Sequence, residues 1–256
     1  MDYPQRLLAR LDAIGQSLAA GGKALALIGL GSVGVERYRL DAYSDLDFFV
    51  IARDGCKQAL LRDLSWLSAH GPIAYQFLNT DDGYKLLYGD GIFCEFAVFE
   101  QAELAGIPFA EGAIVWKDEQ IDERIAQPAP LESRATPRPD EWFVGEALTN
   151  LYVGLGRYHR GEKLTAARFI QQYAVDRVLE LMQRREPEQP GGRDPFTLER
   201  RYEQRFPVTA RSLPAFIQGY DRSRESALAI LEFMETHFEV NPAMALAIRD
   251  LCRADL

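Results

Sequence analysis

Asp45 and Asp47 stand one residue apart at the start of an apolar run, Phe48-Phe49-Val50-Ile51. Residues i and i+2 of a strand point to one face, so this spacing sets two carboxylates side by side, about 6–7 Å apart at a rise of about 3.3 Å per residue. Two like charges at the mouth of a buried strand repel each other and lose hydration, and a cation relieves both costs. Hard carboxylate oxygens suit magnesium, which keeps some of its water and binds through one or two carboxylates together with substrate phosphates. A third carboxylate, Glu95, is the only charge in the run Ile92 to Phe99. A buried carboxylate there must neutralise or find a partner. If its strand lies beside the aspartate pair, Glu95 reaches the same pocket. It would serve there as general base for an attacking hydroxyl or as ligand to a second metal.

Upstream, the apolar run Ala24 to Leu30 ends in Gly31-Ser32. Glycine lets the backbone approach a ligand, and exposed N–H groups at such a turn attract phosphate. Taken singly, Gly-Ser is an ordinary turn, Asp-x-Asp an ordinary solvated loop, and Glu95 a charge that could mark a wet edge strand. Their order is more specific: strand, Gly-Ser, a spacer of twelve, Asp-Leu-Asp opening a strand, then Glu within a third strand. Two arginines in the spacer, Arg37 and Arg39, could touch phosphates or be solvated, and solvation is the expectation because arginine is mostly exposed. Lys163, in the helical second half, reads on its own as a snorkelling surface lysine.

These residues need elements to position them. Leu7, Leu8, Leu11, Ile14 and Leu18 recur at helical spacing, and the pattern stops at Gly21-Gly22. Strands are expected over 24–30, 46–52 and 92–99, with further strands at 73–78 and 84–88 joined by the turn Asp81-Asp82-Gly83, and a helix over 57–68. The stretch 127–140 holds four prolines and reads as a linker. Beyond it the pattern becomes helical. A helix capped by Asp140 runs to about Arg160, a second covers 162–185, and a loop follows over 186–195. Helical patterns resume over 195–205, 214–237 and 242–253. The fold class expected is α+β: a mixed-sheet catalytic domain over 1–130, then a helical bundle over 140–256 for substrate binding or dimerisation.

Bulk composition narrows the function. A net charge of −9 argues against a protein that mainly grips nucleic acid, which needs clustered Lys and Arg. Cys56, Cys94 and Cys252 are scattered and odd in number, and His70, His159 and His237 are isolated, which predicts a reduced, cytoplasmic protein without disulfide or zinc. Asp2, Arg6, Arg10 and Asp12 break any apolar core of a secretion signal, and the longest apolar stretch, about a dozen residues, is short of the ~20 a membrane span needs.

Gly31-Ser32 followed by Ser44-Asp45-Leu46-Asp47 resembles the signature of the DNA polymerase β-like nucleotidyltransferase superfamily. The whole chain is most similar to its antibiotic-modifying members, the B-type lincosamide nucleotidyltransferases. Tyr43 to Val50, Cys94 to Phe99 with Glu95, and Arg160-Gly161-Glu162 carry that similarity. The resemblance implies transfer of a nucleoside monophosphate from ATP or GTP to a hydroxyl of a small, antibiotic-like molecule, with pyrophosphate leaving. It assigns Asp45 and Asp47 to magnesium, Glu95 to the acceptor hydroxyl, and Gly31 and Ser32, with Lys163 as a further basic candidate, to the phosphates. No nucleic acid or membrane partner is expected, and a homodimer is open. Two other readings stand beside it: a transferase that places AMP on a partner protein, and a nucleotide-binding module without turnover.

Overall fold

The computed structural model describes residues 1–128, 138–190, 192–194 and 196–254. The chain divides into two compact units, Met1–Ser133 and Arg134–Leu256. Its architecture is α+β, a mixed six-stranded sheet with helices followed by a helical region. Of the expected linker at 127–140, residues 129–137 lie outside those described. No described helix is long and apolar enough to cross a membrane.

Helix α1 (Tyr3–Gly21) begins where the Asp2 carboxylate accepts from the Gln5 N–H and Gln5 returns the bond, a capping box. It ends at Gly22, whose φ of +63° reverses the chain. The strands are β1 (Ala24–Gly29), β2 (Leu46–Ala52), β3 (Ile73–Thr80), β4 (Gly83–Tyr88), β5 (Phe93–Glu100) and β6 (Ala113–Lys117). They lie in the order β3-β4-β5-β2-β1-β6, with β2 and β5 parallel at the centre and every other pair antiparallel. The sixth strand was not apparent from the sequence: Ala113–Lys117 is short, carries no clean alternation, and is half-buried along its length.

One sheet face is covered over its central strands. Leu46, Phe48 and Val50 of β2 and Cys94, Phe96 and Val98 of β5 pack under Leu7, Leu11, Ile14 and Leu18 of α1 and under Leu60, Leu61, Trp66 and Leu67. The segment 57–68 is two short helices, α2 (Lys57–Arg62) and α3 (Ser65–Ser68), rather than one. Asp63 leaves helical geometry between them, and its carboxylate accepts from the Ser65 N–H. The opposite face is covered only in part. Ile28, Ile51 and Phe49 meet Leu104, Ile125 and Ala126 there, and Phe109 packs edge-on against Phe49.

The second unit has its own core. Helix α4 (Asp140–His159) packs against α5 (Lys163–Arg168), a π-helical stretch (Phe169–Ala174) and α6 (Val175–Met182). The single helix expected over 162–185 is thus interrupted by one wide turn, in which Gln171 is turned inward onto Gly219 and Ser223. Asp140 is the first helical residue and not the cap; its carboxylate accepts from Arg184 and Arg185. Of the helix expected over 195–205 only α7 (Tyr202–Arg205) forms. It is followed by α8 (Pro207–Ala210) and α9 (Leu213–Phe216). The helix expected at 214–237 is broken after α9 and restarts as α10 (Ser223–His237), because Gly219 takes a φ of +100°. Helix α11 (Pro242–Arg253), capped by Asn241, completes the unit.

Candidate active site

The Gly31-Ser32 turn is a single 3₁₀ turn, Gly31–Val33, held at the end of β1. The Leu30 N–H donates to the Asp47 carbonyl (2.8 Å), which ties the turn to the strand bearing the aspartates. The turn closes over β1 so tightly that a Cβ on Gly29 would lie 2.6 Å from the Val33 carbonyl oxygen, so glycine is required there. Gly31 has a φ of +50°, a conformation that costs other residues about 1–2 kcal/mol. The N–H groups of Gly31 and Ser32 precede the first internal bond of the turn, from Val33 to the Leu30 carbonyl (3.1 Å). Ser32 itself is 4% exposed, so the turn presents backbone more than hydroxyl.

The parallel pairing of β2 and β5 sets Asp47 directly opposite Glu95. Register partners share a face, and this is the partly open one: Asp47 alternates with the buried Leu46 and Phe48, and Glu95 with the buried Cys94 and Phe96. Asp45 lies just before β2, next to α1, where burial first and then its charge raise the Tyr3 phenol above its ordinary range. Burial also pushes the Cys94 thiol up, and Asp45 and Asp47 add to the shift. Cys94 is therefore a core thiol behind the carboxylates and not a nucleophile.

Two cations join these groups. Arg39, expected to be solvated, is half-buried beside the turn. A Cβ on Gly31 would lie 2.6 Å from Arg39 Nη2 and 3.9 Å from Asp47 Oδ2, and Arg39 Nε donates to Glu36 Oε2 at 2.6 Å. The reason is local: a 3₁₀ turn over Arg37–Arg39 swings Arg39 inward while Arg37 stays exposed. Glu36 three residues before Arg39 was the available signal. Lys85 was not foreseen. It sits opposite Glu95 across β4 and β5, with Nζ 3.2 Å from Glu95 Oε2. Glu95 is thus neither unpaired nor buried, since 45% of its side chain is exposed.

The structure brings together Asp47, Glu95, Gly31 and Arg39 within the first unit, with Asp45 one residue before β2. Lys163 belongs to the second unit, where it pairs with Asp221 at 3.1 Å, and that hydrogen bond raises its pKa. Among the described residues no group of three or more His, Cys, Asp or Glu stands close enough to hold a metal. The hard-oxygen donors Asp45 and Asp47 fit a magnesium ion that takes its remaining ligands from phosphate and water.

No family model matches the chain, and no curated protein matches it. Among solved structures it is similar to an aminoglycoside 6-adenyltransferase from Bacillus subtilis, at 13% identity and a TM-score of 0.37, over 100% of this chain and 94% of that one.

Proposed function

We propose that this chain is a magnesium-dependent nucleotidyltransferase that moves a nucleoside monophosphate, AMP from ATP in the first instance or GMP from GTP, to a hydroxyl of a small molecule. The observation that carries this reading is the register of β2 against β5, which puts Asp47 and Glu95 side by side on an open sheet face beside the Gly31 turn. Asp45 and Asp47 would hold magnesium, which when bound neutralises the triphosphate and the leaving pyrophosphate. The backbone of the Gly31-Ser32 turn would receive phosphate oxygens, and Arg39 stands beside it as a further donor. Glu95 would accept the acceptor's hydroxyl proton while the acceptor oxygen bonds to the α-phosphorus. The bond from that phosphorus to the bridging oxygen then breaks, and pyrophosphate leaves with the electron pair.

The test is pyrophosphate release from ATP with magnesium across a panel of hydroxylated acceptors. Asp45→Asn with Asp47→Asn should lower the rate by a factor of about 10³ or more, on the scale of removing a group that stabilises transition-state charge. Activity that survives the double variant would sink the mechanism. Label from ATP appearing on protein instead of the small molecules would shift the reading to a protein-modifying transferase.

A further inference from the structure

The row of residues that contains Asp47 and Glu95 does not end at Lys85. Strand pairing continues it across the sheet, from Asp47 on β2 to Glu95 on β5, Lys85 on β4 and Phe77 on edge strand β3. The row below runs from Phe93 on β5 to Leu87 on β4 and Tyr75 on β3. Register partners share a face, so Tyr75, Phe77, Leu87 and Phe93 lie on the same open face as the two carboxylates. Tyr75 is 54% and Phe77 52% exposed. An edge strand usually carries charge or proline to discourage unwanted pairing. Here it carries two aromatic rings in line with the candidate catalytic pair.

We infer that this face is the acceptor platform, and that the acceptor is a neutral, hydroxylated molecule of two rings with one broad apolar face. The inference rests on the transferase reading above for the identity of the reacting hydroxyl. Strands are about 4.8 Å apart, so Phe77 stands roughly 14 Å from Asp47, the length of a two-ring molecule. One ring on Tyr75 and Phe77 would leave the hydroxyl of the other at Glu95. Charge sets the remaining preference. The Lys85 ammonium already neutralises Glu95 between the aromatic edge and the aspartates, so the platform offers no free carboxylate to an amine along its middle. Aromatic side chains supply most of their binding energy through apolar contact, which suits a neutral ring.

The probes are 4-nitrophenyl glucoside, which has two rings, and methyl glucoside, which keeps the sugar hydroxyls without the aryl ring. Binding is read by saturation-transfer NMR on the full chain, independently of turnover, and the affinity for a non-hydrolysable ATP analogue with magnesium is measured alongside. The wild type should bind the aryl glucoside at least about tenfold more tightly than methyl glucoside, the worth of covering one ring. Saturation should be strongest at the aryl protons. Tyr75→Ser with Phe77→Ser should erase that difference and leave ATP-analogue affinity unchanged, while Tyr75→Phe should keep both. Equal affinity for the two glucosides in the wild type overturns the platform, as does an aryl preference that survives the double variant. A wild-type dimer abolished by the double variant, with aryl binding retained, would assign β3 to self-association and also overturn it. If the platform binds but no pyrophosphate is released with any acceptor, the transferase reading fails and the binding face stands.

Discussion

Gly31 shows how one residue can serve both backbone and chemistry. Its φ of +50° favours glycine, and the space where a Cβ would go holds the end of the Arg39 side chain. Gly31→Ala would lose about 1–2 kcal/mol to backbone strain. The clash at 2.6 Å is with a flexible guanidinium, which can swing away. The stability loss should therefore stay at about 1–2 kcal/mol by urea unfolding, while the displaced Arg39 no longer faces the turn. The sharper expectation concerns binding: affinity for the magnesium–ATP analogue falls by about tenfold or more, since a charge-assisted hydrogen bond is worth about 1.5–3 kcal/mol. Unchanged affinity together with lowered stability would remove Arg39 from the phosphate site. Glu95 carries a related lesson. A lone carboxylate in an apolar run reads as buried, but alternation turns it to the half-open face, and its counter-ion comes from another strand. Only strand pairing, which is non-local, reveals Lys85.

At the scale of elements, close packing and one histidine are the levers. Gly154 of α4 lies against the π-helical stretch, where an added Cβ would meet Ile170 Cγ1 at 2.6 Å and Phe169 Cβ at 3.0 Å. Ile170 is fully buried and branched, so it has little room to retreat. Overpacking costs about 1–3 kcal/mol, and alanine returns about 1 kcal/mol of helix propensity. Gly154→Ala should therefore destabilise by about 1 kcal/mol, a drop of roughly 3 °C in melting temperature. A rise would mean that the two segments part easily. In the first unit, His70 follows α3 and its Nε2 lies 2.8 Å from Ser17 Oγ of α1, joining two elements over the sheet. Burial first, then Arg10, holds this ring below the ordinary histidine range. The fold therefore favours the neutral ring. Its stabilisation is present above the unfolded value near pH 6.5 and is lost as pH falls through the lower folded value. Melting temperature should decline over that window in the wild type and less steeply in His70→Gln, and equal slopes would refute the linkage. The elements most legible in the sequence are those whose pattern is local: α1 with its cap, β2, β5, and α4 up to Gly161. Those that were not legible are set by tertiary packing. Half-buried β6 shows no alternation, the break at Asp63 depends on a side-chain bond to Ser65, and the π turn follows from burying Gln171.

For the molecule as a whole, the decisive quantity is charge. A protein of net charge −9 is proposed to receive a polyanion. Two cations beside the site are already committed, Arg39 to Glu36 and Lys85 to Glu95, and of the arginines in the spacer Arg37 is exposed. Beyond contact distance, then, the field that a nucleotide meets is repulsive. Repulsion over that range depends on screening, with a Debye length of about 30 Å at 10 mM salt and about 8 Å at 150 mM. Magnesium lowers the charge of the triphosphate about twofold, so it weakens the same repulsion from the ligand's side. Stopped-flow association of a fluorescent ATP analogue should accelerate by a few-fold as KCl rises from about 20 to about 200 mM. The acceleration should be larger without magnesium than with it. Association that slows with salt would mean that a local basic funnel outweighs the net charge, and that Arg37 and Arg39 draw the nucleotide in from a distance instead of holding it on arrival.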